Sequence, residues 1–194
     1  MEKKYKLMPF AGEWEDAFSQ PEFGGTWLIW GQSSNGKTSF MIQLLKELSK
    51  NYKVLFDSME EGISFNIQKI CKNAGFDNNK NINIVAESIE DLQKRLKKNK
   101  SYEVILIDSF QYSQLSYKEY LKFKESLGNR LLIFTSHSEG NKPASRAAVS
   151  VLYDASLKIY VEGYVAYSRG RYIGEIGSFV IWQEGAKKYN STNV

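Results

Sequence analysis

Cysteine and histidine are nearly absent from this chain of 194 residues, which has one of each, Cys71 and His137, and only three prolines. A single cysteine excludes an intrachain disulfide and any zinc site built on clustered thiolates, which fits a reducing compartment. Cys71 lies on the apolar side of a predicted helix and reads as core filler. Nowhere do 18 apolar residues run together, and Met1-Glu-Lys-Lys-Tyr-Lys6 is not followed by an apolar stretch of signal-peptide length. The expectation is a soluble, cytoplasmic protein with no membrane partner. Charge excess is also small: 26 Lys and Arg against 22 Asp and Glu leave +4, which permits a polyanionic partner without requiring one. A nucleic-acid assignment therefore has to come from where the charges sit. No internal repeat, low-complexity tract or linker is visible.

What is present is a 42% share of hydrophobic residues, enough for one α/β domain with a substantial core. The most informative stretch is Gly31-Gln32-Ser33-Ser34-Asn35-Gly36-Lys37-Thr38, which spells G-x-x-x-x-G-K-[ST] between the β-prone run Thr26–Trp30 and a helical pattern. Gly31 and Gly36 let the backbone turn tightly, so that successive N–H groups, through Ser39 at the helix start, point at phosphate oxygens. Lys37 is placed to reach the β- and γ-phosphates, and the Thr38 hydroxyl to hold Mg²⁺. ATP and Mg²⁺ are the cofactors this motif implies.

Elsewhere strands and helices alternate. Residues 1–24 are too irregular for a definite element and too aromatic (Phe10, Trp14, Phe18) for a solvated tail, and are read as a packing or oligomerisation segment. Helix is predicted to about Ser49, over 63–74 and 87–98, and over 117–127; buried strands are predicted at Val54–Phe56, Ile82–Val85, Val104–Ile107 and Leu131–Phe134. The last third reads as strands at 157–161, 164–169 and 178–183 joined by turns, an antiparallel meander closing a parallel sheet. Residues 25–185 form the core in this reading, and 186–194 a polar tail.

In an open α/β sheet the ligand sits beyond the carboxyl ends of the strands, so residues there acquire roles by position. Asp108 ends an apolar strand, as expected of a Walker B carboxylate that binds Mg²⁺ through water. Phe56-Asp-Ser-Met-Glu60-Glu61 ends the second strand, and a carboxylate there, next to the P-loop, is suited to deprotonate the water that attacks the γ-phosphate. The alternative is an acidic first helical turn favoured by the helix dipole. His137 follows the Leu131–Phe134 strand and is placed to sense the γ-phosphate and signal to the next loop; the default for a lone histidine is a surface residue.

Gly31–Thr38, Val54–Glu61, Ile107-Asp-Ser-Phe-Gln111, Ser136-His-Ser-Glu-Gly140 and Arg169-Gly-Arg171 with Glu175-Ile-Gly177 together resemble the ordered motifs of the RecA/DnaB superfamily of P-loop ATPases. The likeness is greatest to the ATPase core of the bacterial RadA (Sms) family, and extends to core-only recombination and annealing proteins of phages and mobile elements. It covers roughly residues 24–183. The resemblance implies a RecA-type core that oligomerises and binds ATP between neighbouring subunits, with Glu60 as catalytic carboxylate, Asp108 as Walker B and His137 as sensor. It implies that Arg169 and Arg171 reach the neighbour's ATP as arginine fingers, where the plain reading is two solvated charges on a strand and turn. The chain departs from RadA in Tyr172-Ile173-Gly174 after the second arginine, and lacks that family's zinc-finger cysteines.

In such cores DNA contacts come mainly from the loops after the Walker B and sensor strands. Here the first offers Tyr112 and Gln114, the second Lys142 and Arg146 on a Gly- and Pro-containing stretch. Stacking together with backbone-tracking cations suits sequence-tolerant binding of single-stranded DNA. Lys94, Arg95, Lys97, Lys98 and Lys100 are denser but read as a solvated helix end. The leading expectation is a DNA-stimulated ATPase, a homo-oligomer acting in recombination, annealing or strand remodelling, with other recombination or replication proteins as further partners. Phe10-Ala11 and Trp14 are candidates to dock on a neighbouring subunit. A nucleotide-dependent assembly factor acting on a protein partner, and a P-loop nucleoside or nucleotide kinase, are the alternatives.

Overall fold

The computed structural model describes residues 5–192; residues 1–4 of the N-terminal segment and 193–194 of the expected tail lie outside the described residues. The sheet is built on β1 (Gly25–Trp30), β2 (Val54–Ser58), β3 (Ile82–Val85), β4 (Val104–Asp108) and β5 (Leu131–Ser136). A short hairpin follows, β6 (Ser138–Glu139) with β7 (Lys142–Pro143), and then β8 (Leu157–Glu162), β9 (Val165–Gly170) and β10 (Ser178–Val180). The eight-stranded order is β10-β9-β8-β1-β5-β4-β2-β3. Strands β1 to β5 and β8 pair in parallel, and β9 and β10 add antiparallel. The parallel strands read as apolar runs because both faces are covered. On one face Trp27, Ile29 and Phe56 pack against Phe40, Leu44 and Ile67; on the other, Leu28, Leu55 and Ile107 pack against Leu92, Phe123 and Val151.

The first of those faces is covered by α1 (Glu13–Phe18), α2 (Lys37–Leu48) and α3 (Phe65–Asn73). The second is covered by α4 (Ile89–Lys98), α6 (Tyr117–Leu127) and α7 (Arg146–Asp154), with the single turn α5 (Phe110–Ser113) after β4. Serine caps set the helix starts. The side chains of Ser64 and Ser88 accept from the N–H groups of Ile67 and Asp91, so α3 and α4 begin two residues later than the periodicity predicts. Ser116 and Glu119 form a capping box at α6. Cys71 is buried on the inner side of α3.

Three segments differ from the sequence reading. The N-terminal stretch contains α1 and packs on its own chain: Trp14 stacks on Phe179 at 4.4 Å and lies 5.9 Å from Phe40. The N–H groups of Gly174, Ile176 and Gly177 bond to the carbonyls of Ala17 and Asp16, satisfying the end of that helix. The predicted strand at 164–169 starts one residue later because Gly163 and Tyr164 form the turn, with φ of 54° and 60°. Residues 183–192, read as strand end and polar tail, form a helix α8 (Gln183–Thr192) with Ala186 buried.

Candidate nucleotide-binding and catalytic site

The P-loop leaves β1 at Gly31, where the backbone runs against β8: a Cβ on Gly31 would lie 2.1 Å from the Val161 carbonyl oxygen, so only glycine fits. Gly36 enters α2 with a left-handed φ of 99° and gives the helix no side-chain cap, which leaves its first N–H groups for an anion. The loop is fastened from outside. Asn35 accepts from the N–H of Gly163 through its side chain (2.8 Å) and from the N–H of Tyr164 through its carbonyl (3.1 Å).

Lys37, Thr38, Glu60, Asp108 and His137 line one cleft of ≈ 420 Å³ together with Ser33, Ser34 and Ser39. Lys37 Nζ donates to the carbonyls of Gly31 (2.8 Å) and Gln32 (3.2 Å). Burial lowers its pKa, opposed by the charges of Asp108 and Glu60. Burial conversely raises Asp108, opposed by the Thr135 hydroxyl that donates to its Oδ1. Ser58, the register partner of Asp108 on β2, has a buried Oγ with no protein partner. These features fit a Mg²⁺-nucleotide. Thr38 and Asp108 would hold the metal, an ion that keeps several of its waters.

Glu60 reaches the cleft by a route the sequence does not show. Its strand is not next to the P-loop strand, because β5 and β4 stand between β1 and β2. The turn after β2 curls over instead: the Glu60 N–H donates to the Asp108 carbonyl (2.8 Å), and Glu60 Oε1 lies 3.1 Å from His137 Nε2. Glu61 also lines the cleft.

Arg169 and Arg171 do not line it. Arg169, at the end of β9, sits over the Tyr167 ring at 5.7 Å, and Arg171 lines a different cleft with Gly24, Asn129 and Tyr172. Of the residues expected to contact DNA, Tyr112 is half exposed on α5 and Gln114 ends that turn with φ 54°. Lys142 and Arg146 share a surface cleft of ≈ 470 Å³ with Glu139. The bases of the two loops are joined by Gln111, whose Nε2 donates to Ser136 Oγ (2.8 Å) and the Ala144 carbonyl (2.7 Å) and whose Oε1 accepts from the His137 N–H.

Three cleft residues were missed by the sequence reading, Met41 on α2 among them. Thr135 stood in plain view one strand end from Asp108, and the inward parity it shares with Ile133 was the available signal. Tyr164, whose ring touches the cleft wall and meets Trp182 edge-on at 5.1 Å, carried no sequence signal.

No family model matches the sequence, and no curated protein is similar to it. Among solved structures, the flagellar accessory protein FlaH from Methanocaldococcus jannaschii superposes with a TM-score of 0.63 over 91% of this chain and 92% of that chain, at 13% identity. No helix among the described residues is long and apolar enough to cross a membrane. At that identity the likeness speaks to architecture alone, and with the parallel sheet and the antiparallel β9–β10 edge it shows that this chain has a RecA-like α/β fold.

Proposed function

We propose that the chain hydrolyses ATP in a cleft that a second copy completes, and that it acts on single-stranded DNA in recombination, annealing or strand remodelling. The observation that carries the reading is the convergence of Lys37, Glu60, Asp108 and His137 on one cleft while both candidate arginine fingers lie outside it. Lys37 and the α2 N–H groups would hold the phosphates, and Asp108 would hold a metal-bound water. Mg²⁺ when bound offsets charge on the phosphate oxygens. Glu60 accepts a proton from water as that oxygen bonds to the γ-phosphorus and the bond to the β–γ bridging oxygen breaks, with ADP as leaving group. His137, in contact with Glu60, orients it. An arginine from the neighbouring copy stabilises the γ-phosphate charge.

Support for the DNA ligand comes from the exposed Tyr112 and from the Lys142–Arg146 cleft, both tied by Gln111 to the sensor strand. A second reading, a nucleotide-dependent assembly factor, is favoured by Ile63 and Phe65, exposed just beyond the acidic turn of the cleft, and by the likeness to a flagellar accessory protein. Steady-state ATP hydrolysis with and without single-stranded DNA, with Lys37→Ala as blank, separates them. Stimulation lost in the variant supports the DNA reading; tight ATP binding with unstimulated turnover supports the assembly factor.

A further inference from the structure

Lys158 on β8 and Arg169 on β9 are directly opposed in the antiparallel register, so two cations point to the same face of the sheet. Like charges in that position repel, and among the described residues neither has a carboxylate within ion-pair distance. Both line a cleft of ≈ 500 Å³ walled by Trp30, Tyr160 and Tyr153. Its one acid, Glu162, accepts from the Tyr189 hydroxyl at 3.4 Å. Space for the lysine is built in: Gly170 has φ 114°, and a Cβ there would meet Lys158 Cδ at 3.3 Å.

The cleft that holds Lys142 and Arg146 is the neighbour of this one, reached through adjacent residues of the chain and through α7. Asn141, the residue before Lys142, forms the wall between them, its carbonyl accepting from Trp30 Nε1 (3.0 Å) and its Oδ1 from the Tyr160 hydroxyl (3.3 Å). On α7, Arg146 and Val149 line one cleft and Tyr153 the other, at i, i+3 and i+7 on one helix face. Arg146 and Tyr153 are thus about 10 Å apart along the axis. Tyr153 is 77% exposed, a large ring in the cleft of Lys158 and Arg169 and on the α7 face that carries Arg146.

We infer that Lys142, Arg146, Tyr153, Lys158 and Arg169 form one track for the backbone and bases of a single nucleic-acid strand, with Tyr153 as the stacking platform. The inference rests on the DNA reading above and names where the strand runs. Four cations spread over two neighbouring clefts fit an extended polyanion better than one triphosphate, and the exposed ring gives a base its π-face.

The test is fluorescence anisotropy of a labelled oligothymidylate titrated with wild type, Tyr153→Ala and Lys158→Ala across a salt series, with circular dichroism to check folding. Tyr153→Ala is expected to weaken binding roughly 5- to 100-fold. Lys158→Ala should reduce the slope of log K against log salt by about one. Wild type that binds no oligonucleotide overturns the DNA reading itself. Wild-type binding that both folded variants retain in full, with an unchanged salt slope, overturns the track alone. Unchanged DNA binding with loss of ATP turnover in Lys158→Ala also overturns it, and assigns the cleft to a second copy's triphosphate.

Discussion

Replacing Trp14 by alanine asks whether the N-terminal segment belongs to its own fold or to a neighbour's. The ring stacks on Phe179 at 4.4 Å and has Phe10, Phe18 and Phe40 within 5.7–6.0 Å, all on the α2 face of the sheet. Removing a fully buried aromatic side chain costs about 3–5 kcal/mol. Trp14 is only partly buried, which roughly halves that figure, while the lost stack adds about 0.5–1.5 kcal/mol. The sum, about 2–4 kcal/mol, corresponds to a fall in Tm of about 4–16 °C for a chain of this size. The assay is thermal unfolding followed by circular dichroism, alongside sedimentation with and without ATP. Self-association should persist in the variant below its Tm. An unchanged Tm with self-association abolished would refute the intrachain reading and make this segment the docking arm.

Glu60→Gln should keep ATP binding, measured by equilibrium dialysis, while turnover falls about 10²- to 10⁴-fold; normal turnover moves the role to Glu61 or away from both. Gly31→Ala forces a methyl group against the Val161 carbonyl, so it should cost at least about 1–3 kcal/mol in thermal unfolding; a Tm equal to wild type would show that β1 and β8 are not held that closely. Asp57 is buried, its Oδ1 accepts from the Glu87 N–H and its Oδ2 has no protein partner; burial pushes its pKa up to about 6. The fold therefore favours the neutral acid, and wild type loses up to about 3 kcal/mol as pH rises from about 4 through about 6. Asp57→Asn should raise Tm over wild type near pH 8 and not near pH 4; the same difference at both would show that Asp57 does not titrate in this window.

Much of the fold was legible because of where its strands lie. Val54-Leu-Phe, Val104-Ile-Leu-Ile and Leu131-Leu-Ile-Phe are covered on both faces and must be apolar throughout. Strand order was not legible, since no local pattern says which parallel strand neighbours which, and so Glu60 was expected beside the P-loop although two strands, β5 and β4, stand between its strand and β1. The periodic apolar pattern overran helix starts because Ile63 carries the spacing but lies outside the Ser64 cap, where it is exposed. Asp108 and the P-loop residues could be placed from strand ends and glycine spacing alone. Tyr164 could not, because it enters the cleft through a hairpin turn held by Asn35, a contact 129 residues apart in the chain.

The bond from the Glu60 N–H to the Asp108 carbonyl joins the acidic turn to the end of β4 through main chain alone. The spacing of the two turns that carry the proposed base and the proposed metal anchor is thereby insulated from the side chains of Met59 and Glu61, while Gly62, at φ 63°, stays fixed by its backbone. A lineage can redecorate that turn and the Ile63–Phe65 surface beyond it to suit a new partner without retuning the chemistry. The proposed catalytic geometry and the exposed Ile63–Phe65 surface are thus set by separable parts of one turn.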